Sequence, residues 1–257
     1  MTTGSRGNPK VFVDATDPAA VRPALAALES AYWQHVAQLN AIGPLPPEDV
    51  EWLYNPEGRT AWTIVPGLAG VVVMISMLML GALTLVRERE LGSWETLLAT
   101  PVEAIDVLVG KLSPYVVVGT VQAGTVIYLA RLLFDLPVTG NLCALLLATP
   151  LYAATHLILG FAISSVTESQ MQAIQVAVFF YLPSMLLSGF IFPFIGMPRW
   201  AQVIGGMLPL THFVRATRAV LLRGAGASVV TSEMLPVALF AVAAAVLALG
   251  AYRRRID

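Results

Sequence analysis

Five stretches of this chain, 60–86, 112–130, 136–167, 169–198 and 234–252, contain no Asp, Glu, Lys or Arg. A helix rising about 1.5 Å per residue needs roughly 20 apolar residues to cross a ~30 Å hydrocarbon layer. All five runs reach or approach that length, so soluble-core helices are a poor account of them. Composition agrees: 57% of the 257 residues are hydrophobic and only 12% are charged, against about a quarter charged in a soluble domain. The expected fold is an all-α polytopic membrane protein with about five transmembrane helices, near 64–86, 112–134, 142–165, 172–194 and 234–252.

A sixth apolar run, 200–214, is too short to cross and lies among prolines and glycines in "SGFIFPFIGMPRWAQVIGGMLPLTHFVRATRAVLLRG". It predicts broken or interfacial helices near 196–222, with Trp200, Arg215 and Arg218 at headgroup level, where indoles anchor and guanidiniums snorkel. Residues 1–59 differ in kind, with four Lys/Arg against seven Asp/Glu. "KVFVDA" reads as a short strand, and Asp17-Pro18 as a helix start with Pro at N1. Val21, Leu25, Leu28, Tyr32, Val36 and Leu39 recur at threes and fours, one face of an amphipathic helix. "PLPPEDVEWLYNPEGR" reads as a turn-rich lead into the first span. One strand and one helix bury too little surface to stand alone, so 1–59 reads as a partial α/β segment of a larger domain.

Several function classes find no support. A net charge of −1 offers nothing to nucleic acid. Cys143 is the one cysteine and sits in an apolar run, which speaks against a disulfide framework or thiol metal cluster. Gly110-Lys111 is followed by Leu112 and lacks the upstream glycine of a phosphate-binding loop, so no nucleotide site is encoded. There is no H-E-x-x-H and no G-x-S-x-G, and the histidines are scattered at His35, His156 and His212. No catalytic residue, metal site or cofactor is expected. His156 lies inside a span, where an ionisable group is a functional candidate by default. The competing reading is a neutral imidazole bonded to a neighbouring helix. An intramembrane hydrolase built on Ser184 or Ser188 with a histidine has no spacing in its favour. A secondary transporter would want carboxylates deep in its spans, whereas Arg131, Asp135 and Glu168 lie at span ends. Met74, Met77 and Met79 read as packing or lipid-facing residues before they read as an adaptable binding surface.

The densest charge lies between the first two spans, in "RERELGSWETLLATPVEAIDVLVGKL", residues 87–112. Leu91, Trp94, Leu97 and Leu98 fall on one helical face, with Arg89, Glu90, Ser93 and Glu95 mostly elsewhere. That pattern predicts an amphipathic helix on the membrane surface. Thr100-Pro101-Val102-Glu103 then reads as a capping box with Pro at N1, restarting a helix that approaches the second span. Orientation is left open by charge. Counting outside 1–59, Arg87, Arg89, Lys111, Arg253, Arg254 and Arg255 on one side face Arg131, Arg199, Arg215, Arg218 and Arg223 on the other, nearly a tie under the positive-inside rule.

This stretch closely resembles the signature of ABC-2 type transporter permeases, the membrane subunits of ABC exporters. The match is carried by Arg87, Glu88, Arg89, Glu90, Gly92, Ser93, Glu95, Leu97, Leu98, Thr100, Pro101, Gly110, Lys111, Leu112, Pro114 and Tyr115. "YNPEGRTAWTIVPGL", the 188–224 segment and the basic tail extend it over about 51–257, with weaker support at 11–18. The resemblance implies a cytoplasmic side for 87–111 and a cytoplasmic C-terminus. It also implies a plasma-membrane dimer with a second permease copy or paralogue, served by a separate ATP-binding subunit and moving a hydrophobic or amphiphilic substrate. Residues 87–100 would be the coupling helix. Arg87, Glu88, Arg89, Glu90, Gly92, Ser93, Glu95, Thr100 and Pro101 would meet the ATPase, and Leu91, Trp94, Leu97 and Leu98 would hold the helix to the bilayer. Gly189, Phe190, Phe192 and Pro193 are candidates for an outer gate. The family has six spans, with an extracytoplasmic domain after the first. The expectation is therefore a chain without the first span, from either a truncated reading or a split permease.

Overall fold

A computed structural model describes residues 11–14, 18–38, 50–55, 57, 59–92 and 104–256. Among these residues, strand β1 (Val11–Asp14), helix α1 (Pro18–Gln38) and strand β2 (Val50–Leu53) form the N-terminal segment. The long helices are α2 (Thr60–Glu90), α3 (Ala104–Phe134), α4 (Leu142–Val166), α5 (Gln170–Leu187) and α8 (Ala227–Ile256). Short helices α6 (Arg199–Met207) and α7 (Pro209–Arg223) lie between α5 and α8. Among the described residues, five helical stretches are long and apolar enough to span a membrane: Thr60–Glu90, Leu112–Phe134, Leu142–Val166, Gln170–Leu187 and Ala227–Ala251. The chain is an all-α multi-pass membrane protein with a small α/β N-terminal segment.

Several boundaries differ from the hydropathy reading. Helix α2 runs on through Arg87–Glu90, because Arg and Glu are good helix formers and their charged ends can reach water beyond the bilayer. The fourth span stops at Leu187 rather than 194, because Gly189 takes φ +82°, a left-handed conformation that ends a helix. The last helix begins at Ala227, seven residues before the expected span.

The bundle is organised on α2 and α4. In its most apolar stretch α2 is 61% buried, against 39% or less in the other four spans. Helix α4 packs against α2 on one side and α8 on another. The α2–α4 contact closes on Gly81 and Gly160. A Cβ on Gly81 would fall 2.3 Å from the Leu157 carbonyl oxygen, and one on Gly160 would fall 2.4 Å from that of Leu78. Small residues of this kind let membrane helices pack backbone to backbone, where van der Waals contact replaces the missing hydrophobic drive. Two polar links reinforce the pair. Tyr152 donates its hydroxyl to the Gly70 carbonyl (3.0 Å), and Ser164 Oγ accepts the backbone N–H groups of Leu85 (3.0 Å) and Val86 (3.1 Å). Between α3 and α2, Gln122 Nε2 donates to Ser76 Oγ (2.9 Å).

Helix α7 departs from the interfacial expectation. At 15 residues it is about 22 Å long, too short to cross, yet it is buried from Pro209 to Leu222 apart from Arg215 and Arg218. Phe213 stacks on Tyr152 of α4, with ring centroids 4.1 Å apart. Two of its last carbonyls, and that of Ala225 just beyond it, accept hydrogen bonds from the α3–α4 connection. Gly140 N–H donates to Val220 O (2.9 Å), Thr139 Oγ1 to Leu221 O (3.1 Å) and Asn141 N–H to Ala225 O (3.1 Å).

In the N-terminal segment β1 and β2 pair in parallel, in register from Val11↔Val50 to Asp14↔Leu53, with α1 as the crossover a parallel pair requires. The turn-rich reading of 44–59 missed β2, which is four residues long. On the expected face of α1, Val21 is buried, Leu25 and Tyr32 are half-buried, and Leu28 is exposed; the side chains of Val36 and Leu39 lie outside the described residues. Asp14 joins the segment to the bundle by an ion pair with Arg223 of α7 (2.7 Å). Asn55, fully buried, accepts the Arg59 N–H (2.9 Å) and donates to the Arg59 carbonyl (3.1 Å), fixing the approach to α2.

Candidate functional site

The expected coupling element begins as the last turn of α2. Arg87, Glu88, Arg89 and Glu90 continue that helix instead of opening a separate surface helix. Leu91 is its C-cap, and Gly92 follows with φ +74° and open space around it, so Gly is needed there for backbone conformation alone. Ser93, Trp94, Glu95, Leu97, Leu98, Thr100, Pro101 and Glu103 lie outside the described residues. Leu91 is 70% exposed. Beside this turn α2, α3 and α5 border a groove of about 770 Å³, lined among others by Arg87, Glu88, Tyr115 and Gln170.

The four charged residues do not all point the same way. Arg87 is exposed. Arg89 turns to α4, where Nη1 donates to the Thr167 carbonyl (3.0 Å), the C-cap of that helix. Glu90 turns to α5: Oε1 accepts the backbone N–H of Gln170 (2.8 Å), and Oε2 accepts its side-chain amide. A cation thus meets a helix C-terminus and an anion a helix N-terminus, the favourable sense for each helix dipole.

At the other end of α2 the structure gathers part of the expected outer gate. Phe190 packs against Gly67, where a Cβ would lie 2.4 Å from Phe190 Cδ2. Arg218, half-buried in α7, donates to three carbonyls: Gly189 O from Nη1 (3.1 Å), Phe190 O from Nη2 (3.5 Å) and Thr63 O from Nε (3.3 Å). Arg218 lies level with the first turn of α2 and the end of α5. Its guanidinium turns inward, because the carbonyls that follow α5 have no helical partner and a planar fork can serve several at once. Arg215 is exposed and lies over the Phe194 ring, 4.4 Å from its centroid. Phe192 is exposed and Pro193 half-buried, and neither joins the Arg218 cluster. Trp62 at the start of α2 donates Nε1–H to the last carbonyl of α3, Phe134 O (3.0 Å).

His156 is buried in α4. Its Nδ1 lies 3.0 Å from the Tyr152 carbonyl of its own helix, rather than bonding to a neighbour, and Nε2 has no partner among the described residues. Ser184 and Ser188 donate to the Phe180 and Met185 carbonyls, so no hydroxyl–imidazole pair forms there. A second histidine escaped the sequence reading. His212 of α7 lies 2.7 Å from Glu233 Oε2 of α8 through Nδ1, and 2.9 Å from Gly206 O of α6 through Nε2. Its partners come from two other helices, and no local spacing announces them.

The family model described as "ABC-2 family transporter protein" matches residues 2–251. The chain is 29% identical over 203 residues to the probable multidrug ABC transporter permease YbhR of Escherichia coli K12, covering 79% of this chain and 55% of that protein. It is 29% identical over 219 residues to the probable multidrug ABC transporter permease YbhS of the same strain, covering 83% and 57%. It is 30% identical over 197 residues to the inner membrane transport permease YhhJ, covering 75% and 52%. The chain thus spans about half the length of the curated relatives it matches.

Proposed function

This chain belongs to the ABC-2 family of transporter proteins, and from that membership we propose that it is a permease subunit of an ATP-driven exporter. It carries a hydrophobic or amphiphilic substrate across the plasma membrane, and a separate ATP-binding subunit hydrolyses the nucleotide. Two permease copies or paralogues face one another in the working complex. Residues 87–111 and the C-terminus are cytoplasmic. The relatives named as multidrug permeases support a drug-like substrate class.

The observation that carries the reading is α2 itself. It is one unbroken helix of 31 residues, about 46 Å long, with the Arg218 cluster at its outer end and the Arg87–Glu90 turn at its inner end. A push on the inner end is delivered to the outer end as a rigid-body movement, the usual way packed helices switch between two states. Arg87 and Glu88, with Ser93, Glu95, Thr100 and Pro101, make the ATPase contact, while Leu91, Trp94, Leu97 and Leu98 hold the element to the bilayer. Gly189, Phe190, Phe192 and Pro193 form the outer gate.

The test is purification from native membranes, followed by reconstitution in liposomes. An ATP-binding subunit should co-purify, and its ATPase should respond to hydrophobic dyes such as ethidium. A chain that recruits no such subunit, and extrudes nothing on ATP addition, overturns the proposal.

A further inference from the structure

The family signature directs attention outward, to a motor that binds the charged turn after the first span. Two of its side chains instead bond neighbouring helix ends of the same chain. We propose that Arg89 and Glu90 are positioning residues that clamp the inner end of α2 to the α4–α5 turn, so that a displacement of α2 carries α4 and α5 with it. The inference rests on the exporter reading and deepens it, since it assigns these two residues to transmission inside the chain rather than to the ATPase surface.

Three observations converge on it. Adjacent residues of opposite charge reach the two sides of one short turn. Arg89 holds the Thr167 carbonyl at the end of α4, and Glu90 holds the Gln170 N–H at the start of α5. Each charge matches the partial charge of the helix end it meets, so exchanging the two would oppose both. The turn is ordered by its own bonds as well: Ser169 Oγ accepts the Gln172 N–H (3.2 Å), and Gln172 Oε1 accepts the Glu168 N–H (2.9 Å). A pull on it therefore moves it whole. Finally, α2 and α4 are already joined one turn higher, where Ser164 accepts the Leu85 and Val86 N–H groups. Helix α5 is the least buried of the spans, at 17%, so its inner end depends most on the clamp. Loss of Glu90 should free α5 before α4.

The experiment uses the purified complex with its ATP-binding subunit, with Cys143→Ser to remove the native thiol. Leu91→Cys and Met171→Cys, each exposed and next to the clamp, are cross-linked by a short methanethiosulfonate reagent. The reaction is run without nucleotide and again with ATP and vanadate. The expected rates agree within about twofold in the two states, as two sites on one rigid body must. With Glu90→Ala added, the rate should fall about tenfold in the trapped state. Gln170→Ala removes only the side-chain bond, should give an intermediate loss, and serves where Glu90→Ala does not assemble. A parent pair whose rate collapses in the trapped state overturns the proposal, and so does a Glu90→Ala or Gln170→Ala protein that cross-links like the parent in both. Labelling at Phe192→Cys on the outer loop serves as the control for the exporter reading. If ATP never changes its reactivity in the parent, that reading fails first and is seen to fail separately.

Discussion

Gly81 of α2 and Gly160 of α4 meet backbone to backbone, and a Cβ on Gly160 would come 2.7 Å from Ala82 N and 2.9 Å from Gly81 C. This contact sets the distance between the two central helices of the bundle. Gly160→Ala should therefore destabilise the fold by about 1–3 kcal/mol through overpacking, read as a lower midpoint of thermal unfolding in detergent. Gly250→Ala in α8, where an added Cβ meets nothing within 4 Å, should leave the midpoint unchanged or raise it slightly. Equal effects at both positions would mean that close approach is not what the glycines provide.

Arg218 ties α7 to the first turn of α2 and to the carbonyls after α5. Arg218→Ala should loosen this end, making a cysteine placed at Phe190 several-fold more reactive to impermeant maleimide. Arg218→Lys keeps the charge but loses the planar fork, so its reactivity should fall between the two. A Phe190→Cys protein equally reactive in all three backgrounds would remove Arg218 from the gate.

His212 and Glu233 are coupled across α7 and α8 at 2.7 Å. In a double-mutant cycle with His212→Ala and Glu233→Gln, the coupling should be about 1–3 kcal/mol, as for charge-assisted hydrogen bonds sheltered from water. Additive losses of stability would show the two side chains to be mere neighbours.

The outward part of the charged element remains the ATPase contact in the proposed mechanism. Arg87→Glu, combined with Glu95→Lys, should abolish substrate-stimulated ATPase in the reconstituted complex while membrane insertion is normal. ATPase that still responds to substrate would sink the assignment. Arg87 is exposed, so Arg87→Glu alone removes no internal packing and serves as the control.

Tyr152→Phe removes the hydroxyl that Gly70 O accepts and leaves the ring stacked on Phe213. The expected loss is about 0.5–1.5 kcal/mol, that of one hydrogen bond, measured by unfolding in detergent. A much larger loss would mean that the ring itself moves.

The number of spans was legible because a bilayer imposes a length and an apolarity that no local context can override, and the runs around Met74, Val121, Leu151 and Val242 met both. The broken helices after 196 were legible for the same reason in reverse: their apolar run is too short and Pro198 and Pro209 interrupt it. The family was legible too, since Arg87 to Tyr115 holds a dense, ordered set of residues. What the sequence could not fix is where each polar side chain is spent. Arg218 and Arg215 stand one turn apart and read alike, yet one is turned into the fold and the other faces out. Arg87, Arg89 and Glu90 sit within four residues, yet the last two bond the ends of α4 and α5 while the first lines the groove beside α3. Those choices depend on which helix ends lie within reach, and that is settled by the Gly81–Gly160 approach and by the burial of α7. Hydropathy is a property of each segment alone, so sequence determined it; the partners of charged groups are a property of pairs of segments, and only the tertiary structure decided them.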